Sequence, residues 1–212
     1  MAKYNSGAFG GLSGKIGNVV YASWMGIPYV KRMPRKTKIP PSKAQIEQRA
    51  KFKVMSKFIG SLGNSLTDSF NNLSGKMTGR NSAFRINYSN VITGTYPAFT
   101  IDYSKVLVCR GQLFNVANAN VKATGNNIIH FNWTDNSGIP MADSNDKSVL
   151  IVYCQELNQV VYTTEGANRS ACAHDINAGT FAGKTVQTWL AFISANKKDF
   201  ATSIYTGQLV VS

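Results

Sequence analysis

The sequence predicts a mainly β protein with an N-terminal helical segment (an α+β fold), and three observations predict it. Short runs of β-branched and aromatic residues, separated by Gly, Asn and Asp, recur through the second half of the chain. One stretch of the first half has apolar residues at helical spacing. A Met25-Gly26 pair separates two further strand-like runs. We therefore expect two domains: residues 1–113 with a basic arm, a β-hairpin, a long helix and connecting strands, and residues 114–212 with a two-sheet β-sandwich.

The positive charge of the chain is confined to its first half. Up to Gly94 there are fifteen Lys and Arg residues against two acids, Glu47 and Asp68, whereas from Thr95 onward there are eight of each sign. The net charge of +13 is therefore carried by the leading part of the chain. Such an asymmetry indicates nucleic acid or an acidic surface as a partner.

The first predicted element is a β-hairpin over residues 15–32 that turns at Met25-Gly26. Reading residues 15–24 as one strand places Ile16, Val20 and Trp24 on one side and Val19 and Tyr21 on the other. Two strands alone are marginally stable, so we expect something to cover these apolar sides. Residues 1–14 are rich in Gly and Ser, and we expect an extended arm that a partner or another copy would order.

A long amphipathic helix is predicted to follow Pro40-Pro41. Ser42 and Gln45 fit the capping-box pattern, in which both side chains close the first turn. The apolar positions at spacings of three and four are Phe52, Met55, Ile59, Leu62, Leu66 and Phe70. Gly60 and Gly63 weaken the middle of this helix and predict a bend or a close contact. A second helix is predicted over residues 81–92.

Strands are predicted over much of the remaining chain. Residues 99–103 and 106–109 are two of them, which we place with the first domain. The others are residues 116–123, 128–133, 149–154, 160–164, 186–194 and 204–211. Short strands at this spacing, about seven in roughly 100 residues, are typical of a two-sheet sandwich.

The second half resembles a fibronectin type III module. Trp133 closes the second predicted strand as the core tryptophan of that family does. Residues 149–153 and 185–193 stand where its third and sixth strands would. The resemblance implies an Ig-like β-sandwich and no particular activity.

The whole chain resembles an uncharacterised family found in Bacteroidetes genomes and the phages that infect them. The stretches that carry this resemblance are residues 13–20, Ser23-Trp24 with Gly26, residues 44–45 and 48–52, residues 92–97 and residues 101–106. The family has no known catalytic residues. The resemblance therefore implies a phage or prophage setting.

Enzyme chemistry is weakly represented. Cys172, His174 and Asp175 form the one conceivable nucleophilic group, but residues two apart on a strand do not make a base-activated thiolate. The three cysteines have no CxxC spacing, so neither a disulfide framework nor a zinc site is expected. The Asp and Asn residues at 135–146 fit turns better than a calcium loop. We expect no enzyme activity, no cofactor and no metal.

The basic tract between the hairpin and the helix is the candidate binding segment. We expect it to dock on an acidic protein surface in an assembly of like or unlike structural subunits, such as a phage virion or tail apparatus. The alternatives are sequence-nonspecific nucleic-acid binding, a solvated linker and, for the second half, a carbohydrate-binding sandwich. The candidate partner-binding residues are Trp24, Tyr29, Lys31, Arg32, Arg35, Lys36, Lys38, Arg49, Lys53 and Lys57.

Neither a membrane span nor a secretory signal is visible. No run approaches the roughly 20 apolar residues that a spanning helix needs. The first residues lack the apolar region of a signal peptide. We expect synthesis in the cytoplasm, association with a virion and no membrane partner.

Overall fold

A computed structural model describes residues 2–3, 11–35, 39–71 and 77–212, and it divides into two compact units, Met1–Lys43 and Ala44–Ser212. The first unit is an antiparallel sheet of four strands in the order β1-β4-β3-β2. Their bounds are β1 Ala2–Lys3, β2 Gly14–Ile16, β3 Val19–Trp24 and β4 Ile27–Arg32. The chain is mainly β, as predicted, with helices in the second unit.

The hairpin predicted around Met25-Gly26 is confirmed. Strands β3 and β4 pair in register from Val19↔Arg32 to Trp24↔Ile27. Met25 has φ 49° and Gly26 has φ 77°. Positive φ at both central residues is the geometry of the tight turns that join twisted strands.

The predicted first strand of this hairpin is wrong in one respect. Residues 15–24 are not continuous, because a turn at Gly17-Asn18 separates β2 from β3. Ile16 pairs with Val19 and therefore shares its face, whereas the prediction put them on opposite sides. Of the predicted arm, residues 4–10 lie outside the described residues.

The second unit begins with helices. The predicted long helix is present as α1, Lys43–Leu62, which starts directly after Ser42 but is shorter than predicted, because Leu66 and Phe70 of the predicted stripe lie in separate segments. It ends before Gly63, whose φ of 51° lies in the left-handed region. A short 3₁₀ segment, Gly63–Leu66, leads into α2, Thr67–Asn71. Helix α3, Gly79–Tyr88, is shorter than predicted. Its start is capped by Thr78, whose side chain accepts a hydrogen bond from the Asn81 amide.

The predicted strand at residues 106–109 is wrong. This segment follows a hairpin of β5, Ile92–Thr95, with β6, Ala98–Ile101, and a 3₁₀ turn at Tyr103–Lys105. Side chains take the hydrogen bonds of two of its amides in place of a neighbouring strand. Asn87 Oδ1 accepts from the Leu107 amide at 2.8 Å, and Ser203 Oγ accepts from the Val108 amide at 3.0 Å. The segment is therefore buried and paired outside a sheet.

Seven strands follow and form two sheets. Strands β7 Ala117–Ala123, β8 Ile128–Thr134 and β11 Ala173–Asn177 make one sheet, in the order β11-β8-β7. Strands β9 Lys147–Cys154, β10 Gln159–Thr163, β12 Thr185–Ile193 and β13 Ile204–Val210 make the other, in the order β10-β9-β12-β13. The sequence predicted all of these strands except β11.

The four-stranded sheet is buried on both faces. Leu150 and Val152 on β9, with Leu190 on β12, join Phe131 of β8 in a hydrophobic cluster between the two sheets. The alternate residues of β9 and β12, such as Ile151, join a second cluster with the helices. The helical members of that cluster include Met55, Phe58, Ile59, Leu62 and Phe70.

This second cluster draws on both sides of position 113 in the sequence. The domain boundary predicted between residues 113 and 114 stays a prediction.

A buried arginine fastens the loop between β8 and β9. Arg169 is fully buried, and its Nη2 donates to Asp146 Oδ2 at 2.9 Å and to the Phe114 carbonyl at 3.0 Å. Its Nη1 donates to Asn136 Oδ1 at 2.8 Å. The guanidinium lies over the Phe192 ring, 4.3 Å from its centroid. Arg169 thereby joins Asn136 and Asp146, near the two ends of this loop, to each other and to residue 114.

Candidate interaction surface

The sheet of the first unit has two faces of different chemistry. Side chains alternate along each strand, and directly paired residues point to the same side, so the register assigns every residue to a face. The face that we name the apolar face has Ile16, Val19, Tyr21, Ser23, Pro28, Val30 and Arg32. The face that we name the lysine face has Lys3, Lys15, Val20, Ala22, Trp24, Ile27, Tyr29 and Lys31.

Neither face has a core of its own. None of the described residues up to Lys43 is classed as buried, and the first buried side chain along the described chain is Met55. Ile16 is 55% exposed and Trp24 is 52% exposed. A small sheet of this kind gains little hydrophobic stabilisation by itself. Its exposed apolar side chains are therefore candidates for contact with another molecule.

The lysine face brings three cations close together around an aromatic ring. Lys31 and Lys15 both pair with Val20, one from each side, so their backbones are about 10 Å apart, twice the spacing between strands. Lys3 pairs directly with Tyr29. The Lys31 ammonium lies 6.0 Å from the centroid of the Tyr29 ring. The first unit contains eight Lys and Arg residues and no acid, so it has no internal counter-charge.

The structure divides the predicted partner-binding residues into groups. Trp24, Tyr29 and Lys31 lie together on the lysine face, whereas Arg32 lies on the apolar face. Arg35 is exposed beyond the end of β4. Lys36 and Lys38 lie outside the described residues.

The sequence interpretation missed Lys3 and Lys15. The Gly17-Asn18 pair between β-branched residues is a hairpin signal, and it would have indicated the register that brings Lys15 onto this face.

Arg49, Lys53 and Lys57 lie in the second unit, on helix α1. All three are exposed and follow one another at one-turn intervals. At 100° per residue, this row faces away from the buried side of the helix, which carries Met55, Phe58 and Ile59. Phe52, which the sequence assigned to the buried stripe, is 54% exposed and packs on Phe84, with ring centroids 4.9 Å apart. The Leu66 side chain is outside the described part.

Cys172, His174 and Asp175, the conceivable nucleophilic group, each contact other residues in the structure. Cys172 Sγ donates to the Ser170 carbonyl at 3.5 Å. His174 Nδ1 is 2.9 Å from Ser148 Oγ, and Asp175 Oδ1 is 2.5 Å from His130 Nδ1. Burial lowers the pKa of His174 below its ordinary value, which favours the neutral imidazole.

The acidic side chains at residues 135–146 have structural partners. Asp135 accepts a hydrogen bond from the Ser137 amide at 2.9 Å, and Asp143 accepts one from the Asn145 amide at 2.8 Å. Asp146 pairs with Arg169. The contacts of Asp135 and Asp143 are the turn roles expected of Asp. Across the ranges that the structure describes, no group of three or more His, Cys, Asp or Glu residues is arranged to hold a metal ion.

One further property concerns membranes. Within the part of the chain that the structure describes, no helix combines the length and the apolar character of a membrane span.

Comparison with known families adds a decisive observation. Residues 11–207 match the family described as a family of unknown function, DUF6266. The chain belongs to this family. The DUF6266 match covers nearly the whole chain and extends over both units. The resemblance to an uncharacterised family is thereby confirmed. None of the curated proteins matches the chain.

Proposed function

We propose that this DUF6266 chain is a non-enzymatic structural protein that assembles by docking its first unit onto the second unit of another copy. The setting we propose is a phage virion or tail apparatus, as the resemblance to phage-associated proteins implies. The observation that carries the proposal is a four-stranded sheet with an apolar face and no buried side chain among its described residues. Such a sheet gains stability when another surface covers it.

Charge supports the choice of acceptor. Two copies of the first unit repel each other, because each has eight basic residues and no acid. The second unit has fifteen Lys and Arg residues against ten acids, and its excess lies in residues 44–94, because residues 95–212 have eight of each sign. The strands of residues 95–212 therefore repel a cationic sheet less than another first unit does. The contact is therefore expected between unlike parts of two copies. Head-to-tail contacts of this kind produce rings or filaments.

Strand edges support the mechanism. Strands β10 and β13 are the outer strands of the four-stranded sheet of the second unit. Val210 on β13 is 55% exposed, and Tyr162 on β10 is also exposed. On the other side of the contact, β2 is an edge strand of the first unit with all three residues exposed. Pairing of β2 with such an edge would satisfy the free backbone groups of both strands and extend the acceptor sheet. The apolar face would then pack against side chains of the acceptor next to that edge.

We assign β7–β13 to a fibronectin type III-like sandwich as part of this proposal. The shared hydrophobic cluster between the two sheets supports it. So does the strand order, in which the first, second and fifth of these strands form one sheet and the rest the other. In Ig constant-type domains the fourth strand joins the first sheet instead. Trp133 supports it further, because it is buried and packs edge-on against Phe192 at 5.3 Å.

Sedimentation velocity and light scattering over a range of concentrations test the docking. We expect the nuclease-treated full chain to grow in mass with concentration and residues 44–212 alone to stay monomeric. Mixed with the full chain, residues 44–212 should shorten the assemblies, since they offer an acceptor and no docking sheet. The double variant Val19→Thr/Val30→Thr should weaken assembly by tenfold or more, an estimate of about 1 kcal/mol for each lost apolar contact.

The matched control uses the other face of the same strands. Val20→Thr/Ile27→Thr removes a similar apolar area from the lysine face and should leave assembly unchanged. A full chain that stays monomeric at every concentration would overturn the proposal. Equal loss in both double variants would also count against it, because it would indicate a general loss of sheet stability.

A further inference from the structure

We propose that the lysine face binds single-stranded nucleic acid, with its lysines on phosphates and Trp24 and Tyr29 stacked on bases. This inference goes beyond assembly, and it uses the opposite side of the sheet from the apolar face. It therefore stands or fails separately from the proposed docking.

The cations of this face are arranged for a polyanion. The three lysines of this face, Lys3, Lys15 and Lys31, are all exposed. The strand register places them on the same side of the four-stranded sheet. Lys15 and Lys31 share one row across the sheet, and Lys3 stands in the next row, opposite Tyr29. No acid exists in this unit to neutralise them. Release of condensed counterions on contact with phosphates favours binding to such a surface.

The aromatic side chains supply the second half of the site. Trp24 pairs with Ile27, and Tyr29 lies two residues further along β4, so the two rings are diagonal neighbours on the same face. Trp24 is about half exposed, as stacking requires. Aromatic rings beside lysines form the platforms on which successive unpaired bases stack. The Lys31 ammonium beside the Tyr29 ring places a cation next to such a platform.

Single strands fit this surface better than a duplex or an acidic protein. A duplex hides the faces of its bases in the helix stack, so it would leave Trp24 and Tyr29 without partners. Carboxylates of an acidic protein would pair with the lysines but give the rings nothing to stack on. The face has no Asn, Gln, Asp or Glu to read base edges. Binding should therefore tolerate any sequence.

Matched charge variants of the full chain test the geometry. Lys3→Gln/Lys15→Gln/Lys31→Gln removes three charges from the lysine face. Arg32→Gln/Arg35→Gln/Lys43→Gln removes three exposed charges from elsewhere in the same unit. Lys31 and Arg32 are neighbours in β4 that point to opposite faces, so the two triples differ in position and not in net charge. The probe is a fluorescein-labelled oligothymidylate of about 20 nucleotides, long enough to cover the site sizes of single-strand binders.

We expect fluorescence anisotropy to show a dissociation constant that rises steeply with salt. The logarithm of the dissociation constant should rise with the logarithm of the salt concentration at a slope of about +2, for three phosphate contacts on a single strand. The lysine-face triple should weaken binding by tenfold or more and flatten this slope, whereas the other triple should change the dissociation constant by less than about threefold.

Tryptophan fluorescence reports on stacking separately. Trp133 and Trp189 are buried, so quenching of the native emission by the oligonucleotide should come from Trp24. Trp24→Leu should abolish the quenching and weaken binding, while the salt slope stays the same because the phosphate contacts remain.

Four outcomes would overturn the inference. Equal weakening by the two triples would mean that net charge alone attracts the probe. Preference for a duplex of the same length, or for polyglutamate over the oligonucleotide, would assign the face to another partner. If the full chain did not bind the oligonucleotide even at low salt, the lysine face would not be a nucleic-acid site. Each of these results leaves the assembly measured by sedimentation untouched, so the two proposals can fail independently.

Discussion

Arg169 contacts the loop between β8 and β9 at Asn136 and at Asp146. Its guanidinium has no exposed surface, and Asp146, its ionic partner, is buried as well. A buried ion pair of this kind is not by itself a large source of stability, because both charges lose their hydration. The loss of one partner, by contrast, leaves a buried charge without compensation. The pair is therefore expected to matter most when it is broken on one side.

A double-mutant cycle makes this prediction measurable. Arg169→Met should lower the free energy of unfolding by about 3–5 kcal/mol, since it strands Asp146 and leaves Asn136 Oδ1 and the Phe114 carbonyl without their donor. Adding Asp146→Asn should recover a large part of the loss, because the stranded charge is then absent. Urea unfolding followed by circular dichroism gives all four values. If the second change worsened the loss, the carboxylate would have a favourable role that does not depend on Arg169.

At the scale of elements, the turn at Met25-Gly26 sets the register of β3 against β4. Both residues have positive φ, which glycine adopts freely and methionine adopts at a cost. Met25→Asn should stabilise the hairpin by about 0.5–1 kcal/mol, since asparagine tolerates this conformation. Gly26→Ala should destabilise it by about 1–2 kcal/mol. Hydrogen exchange of the β3 and β4 amides measures both changes.

The control for this pair of variants is Gly11→Ala. A Cβ at Gly11 meets no atom within 4 Å, and its backbone does not need positive φ. The amides of β3 and β4 should therefore exchange as in the parent chain. Faster exchange in all three variants would mean that the whole unit, and not the turn, responds to the changes.

The elements that the sequence predicted correctly are those in which local pattern and tertiary environment agree. Residues 149–154 of β9 and residues 189–193 of β12 are continuous apolar runs, because both faces of these strands are buried. Strand β11 was missed because its five residues include only one buried side chain, Ile176, and the polar Ala173–Asn177 sequence has no alternation to detect. Residues 106–109 were wrongly predicted as a strand, because their local sequence resembles one although they pair with no neighbouring strand. They are apolar and extended, but Asn87 and Ser203 occupy their hydrogen bonds.

The lysine face, too, could be predicted only as far as local sequence pattern allows. The types of residue that make it, lysines and aromatic rings, can be read directly from the sequence. Their division into two faces depends on cross-strand pairing, which no local pattern specifies until the turns are known. Lys3 shows this limit best, because its place beside Tyr29 comes from pairing between β1 and β4 across more than twenty intervening residues.

At the scale of the whole molecule, the second unit should unfold as one cooperative body. The helices and the three-stranded sheet both pack against β9 and β12, so neither layer can separate without exposing the central sheet. Residues 44–212 also contain every buried side chain among the described residues. We expect this fragment to unfold in urea in a single transition, at nearly the midpoint of the full chain, since the slope and midpoint reflect the buried surface that it retains.

Two spectroscopic signals check this prediction. Circular dichroism at 222 nm, which follows the secondary structure, and the emission of the buried Trp133 and Trp189 should change together. Transitions that separate would support a domain boundary between residues 113 and 114 in place of one cooperative body.

Because Lys31 and Arg32 point to opposite faces, the two faces of the hairpin keep their character only if β4 changes length by an even number of residues. Adding a single residue to β4 ahead of Lys31 would rotate every later side chain to the other side and set the Lys31 ammonium among Ile16, Val19 and Tyr21. Adding two would restore the original arrangement. Length changes within this strand are therefore tolerated in even steps, and an odd step must be absorbed by a bulge if both surfaces are to keep their character.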